Sequence, residues 1–172
     1  MACMSLFLLC ASAFANEPKT AGKHGIKVLI LCTGNTCRSQ MAHGLLASYG
    51  KDVVVYSGGV RAEKRVNPKA VMVMRERGID ISDHTPCKVD EYLNEDWDYV
   101  ITVCNQAQES CPTFAGRVRH RAHLGFRDPA SATGTEAERR AVFREVRNQI
   151  IHSFNAFYNQ HISKDNESEE RL

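Results

Sequence analysis

Residues 26–47 have the sequence IKVLIL, then CTGNTCRS, then QMAHGLLA. The first six residues form a compact apolar run typical of a buried strand, and residues 40–47 have the composition of a helix. A strand, a short loop with one glycine and a helix direct successive backbone N–H groups, and the positive end of the helix dipole, at one point. The stretch therefore predicts an oxyanion cradle between a strand and a helix.

The reactive side chains of this loop are Cys32 and Arg38. A thiolate at the start of such a loop is stabilised, so we expect the pKa of Cys32 to fall from about 8.5 into the range of about 3.5–7.5. The planar guanidinium of Arg38 suits two-point contact with a tetrahedral oxyanion. A nucleophile, an anion cradle and a guanidinium this close together favour covalent chemistry on a phosphate-like group. The alternative is a buried structural cysteine beside an arginine at a helix start.

The rest of the chain predicts an α/β fold, a four-stranded parallel sheet with helices on both faces. We predict three further strands, at residues 53–57, 99–103 and 122–126, the first of them ended by Gly58-Gly59. We predict helices that begin after the N-cap Asn67, near residues 89–93, and from about Thr135.

Three chemically useful groups follow predicted strands: Cys32, Cys104 and Asp128. Ligands of open parallel sheets bind beyond the carboxyl ends of the strands, so we expect these groups at one edge of the sheet. A carboxyl that faces an oxyanion is disfavoured as an anion, which predicts that Asp128 carries a proton and donates it to a leaving oxygen. The alternative for Asp128 is a turn-forming aspartate before Pro129.

Cys104 and Cys111 flank a polar, turn-like segment. A redox pair needs one thiol that attacks and a second thiol that resolves the disulfide, and this spacing allows both. One alternative is two unrelated cysteines. Another is a zinc site completed by His120 and His123, although these histidines lack the close spacing of zinc ligands.

The length, net charge and cysteine content favour some classes of protein over others. A chain of 172 residues predicts one domain with a real core, and a net charge of +2 argues against nucleic acid as a partner. The one basic cluster, residues 117–123, suggests a solvated segment or a rim that attracts anions. Seven cysteines at irregular spacing fit reactive thiols better than a disulfide framework.

The termini predict segments outside the domain of residues 26–163. Residues 1–15 are uncharged, apolar and end in Ala13-Phe14-Ala15, which is typical of a signal peptide and predicts export to the periplasm. The alternative is a cytoplasmic protein whose start is misplaced. Residues 16–25 have the composition of a linker and residues 164–172 that of a flexible tail. No other stretch is long enough to predict a membrane span.

Three motifs together resemble the thioredoxin-coupled arsenate reductases, which share the low-molecular-weight protein tyrosine phosphatase fold. They are the loop with Gln40-Met41-Ala42, the Cys104/Cys111 pair, and residues 125–130, GFRDPA. The resemblance covers most of residues 26–160. The loop alone would not separate phosphatase from reductase, whereas the cysteine pair does, because the phosphatases lack that redox relay.

The resemblance implies a three-cysteine relay. Cys32 would attack arsenate while Asp128 protonates the departing hydroxide; Cys104 would then attack Cys32 and release arsenite, and Cys111 would resolve the disulfide. Thioredoxin or a thioredoxin-like protein would reduce the final Cys104–Cys111 disulfide. The residues implied to bind the oxyanion or to support the loop, besides Arg38, are Thr33, Gly34, Asn35, Thr36, Cys37 and Ser39.

The resemblance implies no organic cofactor and no catalytic metal. Several relatives bind potassium beside the loop through Asn, Ser and two carboxylates. Asn35 and Ser57 match that set, but His43 and Cys87 stand at the carboxylate positions. A hard cation prefers oxygen ligands, which argues against potassium here. We expect a monomer.

Two other functions stay open from the sequence. The first is a protein tyrosine phosphatase that uses Cys32, Arg38 and Asp128 alone. The second is a non-enzymatic thiol protein that binds arsenite or a metal through Cys104 and Cys111. Export would also oppose the relay, because an oxidising periplasm favours the Cys104–Cys111 disulfide.

Overall fold

The structure, a computed structural model, describes residues 25–50 and 52–163. The predicted signal peptide, nearly all of the predicted linker and the predicted tail lie outside the described residues. The strands are β1 (Ile26–Cys32), β2 (Val53–Gly59), β3 (Trp97–Thr102) and β4 (Val118–His123). The α-helices are α1 (Arg38–Ala47), α2 (Pro68–Arg75), α3 (Asn105–Glu109) and α4 (Glu136–Phe157), the last continued by a π-helical turn at Tyr158–Ile162. Short 3₁₀ helices lie at Val89–Tyr92 and Pro129–Ser131.

The four strands form one parallel sheet in the order β2-β1-β3-β4. Every residue from Val28 to Cys32 in β1 is buried, without alternation. Such runs are typical of parallel strands that are covered on both faces. The predicted α/β architecture with a four-stranded parallel sheet is confirmed.

Two predicted helix starts are confirmed, the one after the N-cap Asn67 and the one at about Thr135. The Asn67 side chain accepts a hydrogen bond of 2.9 Å from the N–H of Lys69, so it caps α2. Thr135 and Glu138 form a reciprocal capping box at the start of α4. Buried apolar side chains along α4 then form part of the core: Phe143, Val146, Ile150 and Phe154.

The predicted end of the second strand was wrong, because β2 continues through Gly58 and Gly59. A Cβ atom at Gly59 would lie only 2.8 Å from the carbonyl oxygen of Thr33. The glycines therefore allow β2 to pass close to the loop after β1, instead of stopping the strand.

The predicted fourth strand at 122–126 was also misplaced, since β4 spans Val118–His123. Most of its side chains are exposed or half-buried, because β4 is an edge strand. The position of β4 therefore cannot be predicted from an apolar run in the sequence. The basic cluster 117–123 is largely this strand, with Arg119 paired to Asp98 on the adjacent strand β3 at 3.2 Å.

Within residues 25–50 and 52–163, no helix is both long enough and apolar enough to cross a membrane.

Candidate active site

The loop between β1 and α1 is held in place through its carbonyl oxygens. Those of Thr33, Gly34 and Thr36 accept hydrogen bonds of 2.9, 3.0 and 3.0 Å from the backbone N–H groups of Arg61, Glu63 and Asn67. A trans peptide unit directs its C=O and N–H in opposite directions. Because these carbonyl groups are bound by the segment after β2, the N–H groups of the same peptide units are directed to the other side of the loop, where that of Asn35 contacts the Cys32 sulfur.

Asn35 holds the shape of this loop. Its φ of 54° lies in the left-handed region, which asparagine tolerates better than most residues. Its side-chain N–H donates to Ser39 Oγ at 2.9 Å, and its side-chain oxygen accepts from Gln40 Nε2 at 3.0 Å and from the Cys87 N–H at 2.9 Å. The left-handed conformation is therefore fixed by three buried hydrogen bonds.

The Cys32 sulfur lies within this network. Its Sγ is 2.9 Å from Ser39 Oγ and accepts a hydrogen bond of 3.1 Å from the Asn35 N–H. Burial raises the pKa of the Cys32 thiol above its ordinary value, although the Ser39 and Asn35 contacts lower it. The expectation of a lowered pKa was wrong, because the sulfur is 2 % exposed and the loss of hydration outweighs the hydrogen bonds.

Cys37 differs from Cys32. Burial raises the pKa of its thiol to about 12, and its contact with Thr36 compensates only in part. Cys37 therefore stays a neutral thiol and fits a packing role in the loop better than a nucleophilic one.

Arg38 connects the loop to the Asp128 segment. Its Nη2 lies 3.2 Å from Asp128 Oδ2, and its Nη1 donates to the Phe126 carbonyl oxygen at 3.1 Å. Its Nε is buried and donates to no group in the described part of the chain. A buried unsatisfied donor is costly, and an oxyanion bound in the cradle would satisfy it.

Asp128 contacts both Arg38 and the turn that follows it. Its carboxylate pairs with Arg38 and also accepts from the Ala130 N–H at 3.1 Å, which caps the 3₁₀ helix Pro129–Ser131. Its side chain is 44 % exposed. Asp128 thus has the turn-forming role as well, and its carboxylate lies beside the guanidinium of Arg38.

A cavity of about 470 Å³ opens at this edge of the sheet. Its lining includes Thr33, Arg38, Cys104, Phe126 and Asp128. The structure thus brings together the groups that follow β1, β3 and β4, as expected for a parallel sheet.

Cys104 and Cys111 lie at opposite ends of α3. The Cys104 Sγ is 3.4 Å from Thr33 Oγ1, so the second thiol contacts the loop that starts at Cys32. Cys111 is half-buried and does not line the cavity. Both are free thiols, as are Cys32 and Cys37.

The zinc alternative finds no support in the geometry. Across residues 25–50 and 52–163, no three His, Cys, Asp or Glu side chains form a group that could hold a metal ion. His123 is hydrogen-bonded to Thr102 at 2.8 Å, and His120 stacks on Tyr99.

The residues at the potassium position also do not fit that ion. The Ser57 hydroxyl lies 3.1 Å from His43 Nδ1, and the oxygen of Asn35 already accepts two hydrogen bonds. Burial, with a smaller contribution from His84, lowers the pKa of His43 to about 3. The groups at this position are thus a neutral imidazole and two oxygens that already have hydrogen-bond partners. A hard cation such as potassium prefers oxygen ligands that are free to bind it.

Gln40 was missed as a functional residue. It is 1 % exposed, donates to Asn35, and its Oε1 lies 2.8 Å from His84 Nδ1. It therefore connects Asn35 to the segment before Cys87. A sequence signal existed, since Gln40 is a long polar side chain in the first turn of a helix whose later buried residues are all apolar.

Comparisons with known proteins agree with this geometry. The profile of the low molecular weight phosphotyrosine protein phosphatase family matches residues 27–168. An arsenate reductase of Halalkalibacterium halodurans is 48 % identical over 124 residues, which cover 72 % of this chain and 88 % of the relative. An arsenate reductase of Bacillus subtilis is 46 % identical over the same shares of the two chains.

Solved structures show the same two kinds of relative. An arsenate reductase in the phosphate binding state superposes with a TM-score of 0.67 at 29 % identity, covering 78 % of this chain and 98 % of the other. A low molecular weight protein tyrosine phosphatase from T. tengcongensis superposes with a TM-score of 0.66 at 25 % identity, covering 79 % and 99 %. The fold is therefore common to both activities, and only the side chains can separate them.

Proposed function

The chain belongs to the low molecular weight phosphotyrosine protein phosphatase family, and within it we propose that this enzyme reduces arsenate to arsenite. The observation that carries the proposal is the position of Cys104, whose sulfur contacts Thr33 in the loop. A phosphatase needs one nucleophilic thiol, whereas the reduction of arsenic(V) needs two thiols to supply two electrons. The arsenate reductase relatives, at 46–48 % identity, support the same choice.

In the first step, the loop N–H groups and Arg38 bind arsenate, and Cys32 attacks arsenic. Ser39 and the Asn35 N–H stabilise the thiolate as the Cys32 proton leaves. Bound arsenate is an anion next to the Asp128 carboxyl group. Because two like charges repel each other there, we propose that Asp128 serves as the proton donor of this step. That proton then goes to the departing hydroxide, which leaves as water.

In the second step, the Cys104 thiolate attacks the Cys32 sulfur. The sulfur–arsenic bond breaks and its electron pair goes to arsenic, so that arsenic(V) becomes arsenic(III) and leaves as arsenite. The two thiols become the Cys32–Cys104 disulfide. The contact between Cys104 and Thr33 keeps the attacking sulfur at the loop.

In the third step, Cys111 attacks Cys104 and releases Cys32 as a thiolate. A thioredoxin-like reductant then supplies two electrons to the Cys104–Cys111 disulfide. Cys111 suits contact with a protein partner because it is half-buried and lies outside the cavity lining. We propose no cofactor for any step.

The test compares arsenate turnover with phosphate-ester hydrolysis in four proteins. They are the wild type, Cys104→Ser, Cys111→Ser and, as a control next to Cys111, Ser110→Ala. Thioredoxin and its reductase supply electrons. We expect the two cysteine variants to lose arsenate turnover but keep ester hydrolysis, and the control to retain both. Arsenate turnover that survives in Cys104→Ser would disprove the relay.

A phosphatase is the second candidate, favoured by one specific observation. Cys32, Arg38 and Asp128 already form a complete set for ester hydrolysis without the other thiols. A wild type that hydrolyses phosphotyrosine esters and shows no arsenate turnover would make this the function. If Cys32→Ser changed neither activity nor arsenite binding, the non-enzymatic thiol protein would replace both candidates.

We also propose export through the signal-like residues 1–15, with the cytoplasm as the alternative. An exported relay requires a reducing thioredoxin-like partner in the same compartment. The N-terminal residue of the protein purified from its own cell separates the alternatives. A start near Asn16 supports export, and a start at Met1 contradicts it.

A further inference from the structure

A row of arginines begins just before the edge strand β4 and continues along one side of it. Residues 117, 119 and 121 alternate along the chain, so their side chains share a face. Arg117 lies 3.9 Å from Asp96, and Arg119 lies 3.2 Å from Asp98. The first two arginines are therefore balanced by carboxylates at the start of β3.

Arg121 has no such carboxylate opposite it. In the strand register it faces Val100, and no ion pair joins it to any residue within 25–50 or 52–163. Its guanidinium instead lies over the Phe114 ring, 5.2 Å from the ring centre. From there its Nη1 donates to the Cys111 Sγ at 3.7 Å. The row thus ends with a cation directed at a thiol.

We propose that Arg121 is a positioning residue for Cys111, and that its guanidinium stabilises the negative charge that the sulfur carries while it attacks in the resolving step. This inference rests on the relay proposed above. The thiolate is the form that attacks a disulfide, and a neighbouring cation favours that form. Phe114 fixes the guanidinium by a cation–π contact, so the charge stays at the sulfur instead of moving freely in solvent.

The step is a thiol–disulfide exchange with no net oxidation. Cys111 first loses its proton to water, because a guanidinium has no free site to accept one. The Cys111 sulfur then bonds to Cys104, the Cys32–Cys104 bond breaks, and its electron pair leaves with Cys32. Arg121 takes part only through its charge and its hydrogen bond.

The helix before Cys111 has its N-terminus at the other cysteine. The preceding helix, α3, has only five residues and ends at Glu109, so its N-terminus lies at Cys104 and not at Cys111. Among residues 25–50 and 52–163, the side chain that is hydrogen-bonded to the Cys111 sulfur is that of Arg121.

The test uses the charge of the reagent as a probe. Iodoacetamide is neutral and iodoacetate is an anion, and the rate at which each alkylates Cys111 is followed by mass spectrometry of its peptide. The variants are Arg121→Met, which keeps the apolar stem on Phe114, and Arg121→Lys, which keeps the charge. The matched control is Arg119→Met, which removes the same charge from the same strand face.

We expect Arg121→Met to slow alkylation by iodoacetamide about three- to fivefold, as is typical of an exposed charge contact. The loss should be larger with iodoacetate, since the guanidinium also attracts the anionic reagent. Arg121→Lys should recover most of both rates, and Arg119→Met should match the wild type. Loss of structure alone would not give this ordering of reagents and variants.

A second readout separates this inference from the proposed function. After one turnover of arsenate, the rate of Cys104–Cys111 disulfide formation should fall in Arg121→Met by the same factor, while the rate of arsenite release stays unchanged. Unchanged alkylation, or slower alkylation with normal disulfide formation, overturns the role of Arg121. A wild type that forms no Cys104–Cys111 disulfide overturns the relay itself, whatever the alkylation rates are.

Discussion

The two ends of the proposed relay are built in opposite ways. Cys32 is buried in a loop whose carbonyl groups and central asparagine are all hydrogen-bonded. Cys111 follows a five-residue helix, is half-buried, and contacts an exposed arginine. The first site must hold one geometry around a small oxyanion, which requires preorganised donors. The second must bring the Cys111 thiol to Cys104 and then expose the resulting disulfide to a protein reductant.

The second region must also change shape. Cys111 lies seven positions after Cys104, and at a rise of 1.5 Å per position a helical segment of that length spans roughly 10 Å. A disulfide needs Cα atoms within about 7 Å. We therefore expect α3 to unwind when the Cys104–Cys111 bond forms. Its five residues make this easy, because so short a helix has little stability of its own.

We call residues 32–43, the loop at Cys32 with the first turns of α1, the fixed region. The largest effect should come from a change within it. Arg38→Lys keeps the charge but cannot reach the oxyanion, Asp128 and the Phe126 carbonyl oxygen together. We expect kcat/KM to fall roughly 100- to 1000-fold for both arsenate and a phosphate ester. Steady-state kinetics measure this loss. Arg75→Lys, which alters an exposed ion pair with Asp80, is the control and should match the wild type.

An Arg38→Lys enzyme with arsenate turnover within threefold of the wild type would show that the loop N–H groups alone hold the oxyanion. The fixed region would then depend on its backbone and not on this guanidinium.

Asn35→Ala should produce the next largest effect. The change leaves two buried donors, Gln40 Nε2 and the Cys87 N–H, without their acceptor, and it places alanine at a φ of 54°. Each unsatisfied buried group costs about 1–3 kcal/mol, so we expect the free energy of unfolding to fall by at least about 2 kcal/mol. Urea unfolding at pH 7 measures it, with the exposed Asn159→Ala as control.

Activity adds a second measurement for the same variant. Because the loop loses its fixed shape, arsenate turnover should fall at least tenfold even where the protein is fully folded. Normal turnover in folded Asn35→Ala would mean that the oxyanion itself can organise the loop.

The same contrast explains what the sequence could and could not predict. The central strands and the cradle were predictable, because a buried parallel strand followed by a glycine-containing loop and a helix leaves few other structures. The edge strand β4 was not, since its exposed arginines carry no hydrophobic pattern. The Arg121–Cys111 contact depends on strand register, which the sequence alone does not fix.

The pKa of Cys32 was predicted in the wrong direction for a physical reason. The sequence shows the donors that lower the pKa, but it does not show how completely the sulfur is removed from water. In the structure the sulfur has lost nearly all of its hydration, and this loss is the larger influence.

The buried imidazole of His43 makes the stability of the fixed region depend on pH. The pKa of His43 is lowered from 6.5 to about 3 by burial, so between these values the unfolded chain binds a proton that the folded chain does not. Stability is therefore full above about pH 6.5 and falls as the pH decreases. Between pH 7 and 4.5 we expect His43 to account for a loss of about 2 kcal/mol.

Urea unfolding of wild type and His43→Gln at both pH values isolates this contribution. The variant should lose about 2 kcal/mol less than the wild type over that interval, whereas the exposed His152→Gln should follow the wild type. Parallel losses in all three proteins would show that His43 takes up its proton in the folded state and that the region is open to solvent.

The smallest effect belongs to Thr33, which joins the two regions. Its hydroxyl lies 3.4 Å from Cys104 Sγ and donates to Gln106 Oε1 at 3.2 Å, so it links the fixed loop to the start of α3. Thr33→Val removes both contacts and keeps the branched shape. We expect arsenite release in a single turnover to slow about threefold, since each such hydrogen bond contributes only about 1 kcal/mol or less.

Ester hydrolysis should stay unchanged in Thr33→Val, because that reaction does not use Cys104. Thr113→Val, an exposed threonine beyond Cys111, is the control for the change of residue type. If both reactions slowed equally, Thr33 would act within the oxyanion cradle. If only arsenite release slowed, the hydroxyl would be the connection by which the fixed site holds the attacking thiol until α3 unwinds.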